Sequence, residues 1–226
     1  MNILRTQEWE DSYSRKENFI FYPKEEVVKF LNRYIRKKTG LNKFVSHLKS
    51  KNKLRALDLG CGIGRQTILF EEFNIEGYGV DISEVALTEA KKLAEYFGYD
   101  LSERLIQLKE VALPFEDNFF DFAISDSVLD SMEFSFAQEY MRELNRTVKK
   151  FLYLNLISGD SVSIDSGDVE VTNTYEQGTI QSYYSLERVQ QLIADTEFQI
   201  ASLHKIIYES LTDKKYTVRL HIVLTK

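Results

Sequence analysis

Only one cysteine, two prolines and three histidines occur in 226 residues, and no stretch of eighteen or more apolar residues breaks the polar background. The single thiol, Cys61, cannot close a disulfide within the chain, and with scattered histidines it makes no metal cluster of familiar spacing, so no metal is expected. The missing apolar run excludes a membrane-spanning helix. Charges in MNILRTQEWE stand where a secretory signal needs an apolar core, and a soluble, cytoplasmic protein is expected. Repeats and low-complexity blocks are also absent. Positive charge is short overall, with 29 Lys and Arg against 35 Asp and Glu and a formal net charge of −6, which argues against broad nucleic-acid affinity. Yet residues 33–55 hold nine Lys or Arg and no acid. That segment, interleaved by Tyr34 and Phe44, suits either a phosphate-bearing partner or a solvated helix end followed by a lysine-rich connector.

What is present suffices for one sizeable core, since 43% of the residues are hydrophobic in a chain of single-domain length. In PKEEVVKFLNRYIRKK, Val27, Val28, Leu31, Tyr34 and Ile35 fall at helical spacing, with Pro23 ahead and Gly40 just beyond, which predicts an amphipathic helix. Short apolar runs then alternate with longer helical patterns: LRALDL, RQTILFEEF, GYGVDI, SEVALTEAKKLAEYFG, LIQLK, FDFAIS, FAQEYMRELNRTVKK and FLYLNLIS. This rhythm predicts βαβ units, hence an α/β fold with a parallel sheet between helical layers. After Ser158 a polar, β-leaning stretch leads to a helix near LERVQQLIADT and strands near QIASLHKIIYE and YTVRLHIVLT. Residues 1–226 therefore read as one domain: an N-terminal arm and helix (1–40), a cofactor-binding core (54–157), an insertion over the active edge (158–185), and a closing helix and strands (186–226).

In open parallel sheets ligands bind outside the carboxyl ends of the strands, and RALDLGCGIGRQT places a glycine loop there. Gly60, Gly62 and Gly64 admit backbone angles that side chains forbid and let a ligand approach the main chain. The dinucleotide fingerprint GxGxxG wants a third glycine at position 65, which is Arg65, and its turn receives a pyrophosphate. Asp58 would repel such a phosphate and would suit a ligand carrying positive charge. Asp81, closing GYGVDIS, is placed to accept hydrogen bonds from a ribose diol. A nucleoside with a cationic group and no phosphate suggests S-adenosylmethionine.

DLGCGIG, VDIS and LPFEDNFFDFAIS resemble the class I S-adenosylmethionine-dependent methyltransferases that act on small molecules, over residues 54–157. The resemblance implies a Rossmann-like doubly wound sheet in three α/β/α layers, mostly parallel with an antiparallel last strand. It implies that Asp58, Gly60, Cys61, Gly62 and Gly64 surround the methionine part of the cofactor, with Cys61 a small filler of the loop. Asp81 then takes the ribose hydroxyls, Ile82 packs on adenine, and Ser125 ends its strand near the transferable methyl. The family often has an acid four positions before LPF that reaches the adenine amino group; Lys109 stands there, leaving Glu110 or a backbone group. In the leading QEWEDSYSRKENFIFYP, Tyr13 is the candidate to reach the methionine carboxylate, or else belongs to an ordinary docking arm.

Methyl transfer from a sulfonium mainly requires a positioned nucleophile and exclusion of water, so a general base is optional. No catalytic residue is assigned, because His47, His204 and His221 read as packed or surface histidines. Asp126 and Ser127 beside the expected methyl, and Gln181, Tyr183 and Tyr184 in GTIQSYYS, are candidates for the acceptor side. SDSV after the fourth strand lacks the Asn/Asp-Pro-Pro-aromatic loop of adenine methylation in DNA, no Pro-Cys loop serves cytosine carbon-5, and nothing marks a polyamine channel. The expected partner is a small polar methyl acceptor, with a saccharide precursor as one candidate, methylated on oxygen or nitrogen. A cofactor-binding regulatory module without turnover and an RNA-modifying enzyme using the basic face at 33–55 are the alternatives.

Overall fold

Period-two alternation in the apolar runs decides the architecture, because each strand turns successive side chains to opposite faces. The computed structural model describes residues 5–226, so the first four residues of the expected N-terminal arm lie outside the described residues. In chain order the elements are α1 (Thr6–Ser14), α2 (Glu25–Phe30) with a π-helical turn (Leu31–Ile35), β1 (Arg36–Gly40), β2 (Lys43–Ser46), β3 (Arg55–Leu59), α3 (Arg65–Glu72), β4 (Glu76–Asp81) and α4 (Glu84–Tyr96). They continue with β5 (Leu105–Gln107), β6 (Phe120–Asp126), α5 (Phe134–Thr147), β7 (Val148–Ile157), β8 (Gly167–Glu170), β9 (Ile180–Tyr183), α6 (Leu186–Ile193), β10 (Gln199–Ser210) and β11 (Lys215–Thr225).

Seven strands form one sheet in the order β10-β11-β7-β6-β3-β4-β5. Pairs among β3, β4, β5, β6 and β7 are parallel, while β11 is antiparallel to both β7 and β10, which matches the expected sheet with its antiparallel last strand. Ala56, Phe122, Ile124 and Tyr153 turn to one face, where Val27, Phe30, Leu69 and Phe70 of α2 and α3 cover them. Leu57, Ala123, Leu152 and Leu154 turn to the other, under Tyr140, Met141 and Leu144 of α5 and Val189 and Leu192 of α6. Helices on both faces complete the three layers.

One expectation is corrected. The helix predicted through the residues before Gly40 ends at Ile35, and residues 36–46 form an antiparallel hairpin instead of a basic helix end. Continuing the helix would set Arg33 four residues from Lys37, a like-charge pair that disfavours it. Asn32 also diverts the chain, its Nδ2 donating to Val28 O (2.8 Å) and its Oδ1 accepting from Lys38 N (3.0 Å). Arg36 then donates to the carbonyls of Phe73 and Asn74 at 3.1 and 2.8 Å, and Phe44 packs on Phe73 with ring centroids 6.1 Å apart. The hairpin therefore sits by the turn that enters β4, at the amino end of the sheet.

Candidate functional site

At the opposite, carboxyl end of the strands lies a cavity of about 340 Å³, lined by the glycine loop, the ends of β4 and β6, α1, and the hairpin of β8 and β9. Its glycine loop is closely fitted. Gly60 and Gly62 have φ of +69° and +54°, and a Cβ on them would lie 2.3 Å from a Val128 methyl and 2.6 Å from Tyr13 Oη respectively. Most main-chain donors of the loop are already engaged: Gly60 N and Cys61 N donate to Val80 O (2.8 and 3.0 Å), and Gly64 N to Cys61 O (2.9 Å). Gly62 N donates to Asp81 Oδ2 at 2.8 Å. A pyrophosphate needs such donors free, so this loop is a poor phosphate cradle.

Two buried carboxyls flank it. Asp58 accepts from Thr67 Oγ1 (2.8 Å) and, among the described residues, forms no ion pair; burial pushes its pKa up to about 7, with the Thr67 hydrogen bond opposing. Asp81 accepts from Gly62 N and from Ser83 N (2.9 Å), and burial raises it to about 6 against those backbone bonds. A carboxylate has about four lone-pair sites, so each retains acceptor capacity. Partly unmet acceptors, loop amides that are engaged, and a cradle that a Cβ would fill fit a cationic nucleoside better than a nucleotide.

The arm closes over this half of the cavity because Glu10 caps α4. Its carboxylate accepts from Ser83 Oγ (2.8 Å), Glu84 N (2.6 Å) and Val85 N (3.1 Å), an anion at the positive end of a helix. Trp9 and Tyr13, one turn apart, are thereby laid on the cavity wall. Burial, reinforced by Asp81, holds the Tyr13 phenol well above its usual range, so it is a hydrogen-bond donor at neutral pH.

The other half is polar and charged, with both signs present. Asp126 at the end of β6 accepts from Lys24 Nζ (2.9 Å), Arg65 Nη2 (3.3 Å), Gln66 Nε2 (3.1 Å) and Asn155 Nδ2 (2.7 Å). Burial would raise its pKa, but Lys24 and the Asn155 bond outweigh burial and it lies below the ordinary value. Ser127, at φ +63°, accepts from Lys24 (3.0 Å) and from Arg219 of β11, whose guanidinium also pairs with Asp130 at 3.1 Å. Gln181 Nε2 donates to Asp130 O at 2.6 Å, which holds β9 over this end.

Of the residues expected from the sequence, Tyr13, Asp58, Gly60, Cys61, Gly62, Asp81, Ile82, Asp126, Ser127 and Gln181 line the cavity. The others lie elsewhere. Tyr184 is fully buried in the core with its hydroxyl on Leu129 O (2.9 Å), which corrects its expected role, and Tyr183 pairs with Gly167 in the hairpin outside the lining. Glu110 is exposed beyond β5, where Leu108 takes the wall position. Gly64 caps α3 at φ +82° against Ala90, and Ser125 is buried inside β6 between Leu59 and Leu154. Lys24, Asp130 and Arg219 were not expected. An arginine between the apolar Val218 and Leu220 of the closing strand was the available signal for Arg219. No histidine lines the cavity: His221 is buried, its Nδ1 2.7 Å from Tyr153 Oη.

The family model described as a methyltransferase domain matches residues 50–215. Among solved structures, 1,6-didemethyltoxoflavin-N1-methyltransferase from Burkholderia thailandensis, with bound 1,6-didemethyltoxoflavin and S-adenosylhomocysteine, is similar at TM-score 0.69 and 14% identity, over 99% of this chain and 87% of its own. A SAM-dependent methyltransferase from Methanosarcina mazei is similar at TM-score 0.65 and 20% identity, over 78% and 94%. Magnesium protoporphyrin IX methyltransferase from Synechocystis, with bound SAM, gives 0.55 and 19%, over 76% and 70%. At these identities the structural likeness is one of fold.

Proposed function

The chain belongs to the methyltransferase-domain family and is a class I S-adenosylmethionine-dependent methyltransferase, and we propose that it methylates an oxygen or nitrogen of a small polar molecule, with a saccharide precursor as one candidate. The observation that carries the acceptor reading is the two-sided cavity, with the glycine loop, Asp58 and Asp81 at one end and a cluster of charged side chains under the hairpin of β8 and β9 at the other. The small acceptor named for the 1,6-didemethyltoxoflavin-N1-methyltransferase, similar in fold over almost the whole chain, supports the same class here.

When bound, the cofactor supplies an electrophilic methyl on a good leaving group. This chain's residues do the rest. Asp81 would accept from the ribose hydroxyls, Ile82 and Leu108 would flank the adenine, Asp58 would offset positive charge, and Tyr13 would donate to the methionine carboxylate. Asp126, Ser127 and Gln181 would orient the acceptor. Orientation and exclusion of water can lower such a barrier by about 7–11 kcal/mol without a dedicated base. In this reading residues 1–226 act as one domain, its arm and its 158–185 insertion together covering the cavity. We also place the protein in the cytoplasm. Among the described residues no helix is long and apolar enough to cross a membrane, and the buried free thiol of Cys61 suits a reducing compartment.

Isothermal titration should show S-adenosylmethionine and S-adenosylhomocysteine binding, and Asp81→Ala should weaken both about 10- to 100-fold, the loss of hydrogen bonds to a charged group. No binding to the wild-type chain would sink the site assignment. Binding without turnover across an acceptor panel would favour the regulatory reading.

A further inference from the structure

Charged and polar groups at the carboxyl end of the sheet follow its strand order: Asp81 on β4, Asp58 on β3, Asp126 on β6, Asn155 on β7 and Arg219 on β11. Strands lie about 4.8 Å apart, so Arg219 starts about 14 Å across the sheet from the glycine-loop strand β3. It belongs to the acceptor end of the cavity. There Lys24, Arg65 and Arg219 pair with two carboxylates, Asp126 and Asp130, in contacts of 2.9, 3.3 and 3.1 Å, while Glu133 and Glu176 line the same cavity and, among the described residues, pair with none of the three. The side chains of Arg65 and Arg219 are only 15% and 16% exposed, so three cations converge where water screens them poorly.

We propose that the methyl acceptor carries an anionic oxyacid group, a carboxylate or a phosphate, seated between Lys24 and Arg219. The cluster's internal contacts leave donors for it. Lys24 Nζ donates to Asp126 and Ser127, which leaves one of its three N–H groups, and Arg219 uses Nε on Asn155 Oδ1 (3.0 Å) and Nη2 on Ser127 and Asp130, which leaves Nη1. Burial depresses the Lys24 ammonium, and the two guanidiniums depress it further against the pull of Asp126, a repulsion that a bound anion relieves. All three cations line the cavity itself. A neutral acceptor would meet these remaining cationic donors with weaker hydrogen bonds, whereas an anion meets them with charge on both partners.

This inference rests on the methyltransferase reading of the cavity, and its test separates the two. Protein saturated with S-adenosylhomocysteine is titrated calorimetrically with benzoate, phenyl phosphate and benzyl alcohol. One of the two anions should bind at least about tenfold more tightly than the alcohol, and which one wins identifies the group. Lys24→Met and Arg219→Gln should each weaken that anion about fivefold or more and leave S-adenosylhomocysteine affinity within about twofold. Equal binding of anion and alcohol, or no binding of either anion, overturns the proposal. So does anion affinity retained in both variants, or a parallel loss of S-adenosylhomocysteine affinity, which would assign the cations to the cofactor's own carboxylate. Should Arg219→Gln fail to fold because Asp130 is left unpaired, Lys24→Met, at a side chain 31% exposed, decides alone. Failure of the wild-type chain to bind S-adenosylhomocysteine counts against the site assignment and is seen before any anion is added.

Discussion

Asp58 and Asp81 give the cofactor end a pH dependence of opposite sign for the empty and the loaded protein. Both carboxyls titrate higher in the fold, near 7 and 6, than the ordinary 3.8, because burial disfavours their charge. Their contribution to stability is therefore full below about pH 4 and is lost as pH rises through 6 to 7. A cationic ligand prefers the ionised carboxylates, so S-adenosylmethionine affinity should rise about tenfold from pH 5.5 to 8 with release of protons on binding. Calorimetry in buffers of differing ionisation enthalpy measures that release, and Asp58→Asn should flatten both the affinity and the stability trends. Gly62 makes a second case at this scale. Gly62→Ala places a Cβ 2.6 Å from Tyr13 Oη at φ +54°, and the backbone part alone costs about 1–2 kcal/mol. In a double-mutant cycle with Tyr13→Phe, the steric part should vanish, because the next Tyr13 atom is 3.5 Å away, while the backbone part remains in urea unfolding. The position of Asp58, Asp81, Gly60 and Gly62 at the cavity was legible in the sequence because it follows from local chain geometry. Lys24, Asp130 and Arg219 were not, since they meet only when β6, β11 and the segment before α2 are brought together.

At the scale of elements, the arm's position depends on one side chain at a helix end. Ser83 caps α4 locally by accepting from Ala86 N at 3.0 Å, and Glu10 adds three acceptor contacts from 73 to 75 residues away. Glu10→Ala should cost about 1–2 kcal/mol, the usual range for losing an N-terminal cap with its favourable charge. Because α1 carries Trp9 and Tyr13, the same change should weaken S-adenosylhomocysteine binding severalfold, while Glu10→Gln keeps part of both. Urea unfolding and calorimetry on the same variants check this. An arm over the cofactor was expected from Trp9 and Tyr13, but its attachment was not, because a glutamate among many charges gives no sign of its distant partner. The insertion shows the same limit: Tyr184 looks like a ligand-facing tyrosine in GTIQSYYS, yet alternation in β9 and the next residues turns it into the core onto Leu129 O.

For the whole molecule, α/β alternation was readable because buried strands and amphipathic helices carry different hydrophobic periods, and the sheet order then fixes which end holds the site. The basic hairpin escaped that reading since hydrophobic period does not show what stops the helix, namely the Asn32 side-chain bonds and the contacts of Arg36 with Phe73 and Asn74. Its placement bears on the RNA-modifying alternative. The hairpin adjoins the entry of β4, and the neighbouring Lys53, which pairs with Glu71, precedes β3, whereas the cavity lies beyond the other end of both strands. Five residues of β3 span about 17 Å, and the Debye length at physiological salt is about 8 Å. The hairpin's charges are thus screened from the cavity by about two such lengths. Reversing Lys37, Lys38 and Lys43 to glutamate should leave S-adenosylhomocysteine affinity and small-molecule turnover within about twofold. If the protein instead retains RNA on a filter at low salt, and that retention and its activity are lost together in the triple variant, the acceptor is an RNA that reaches around the domain edge to the cavity.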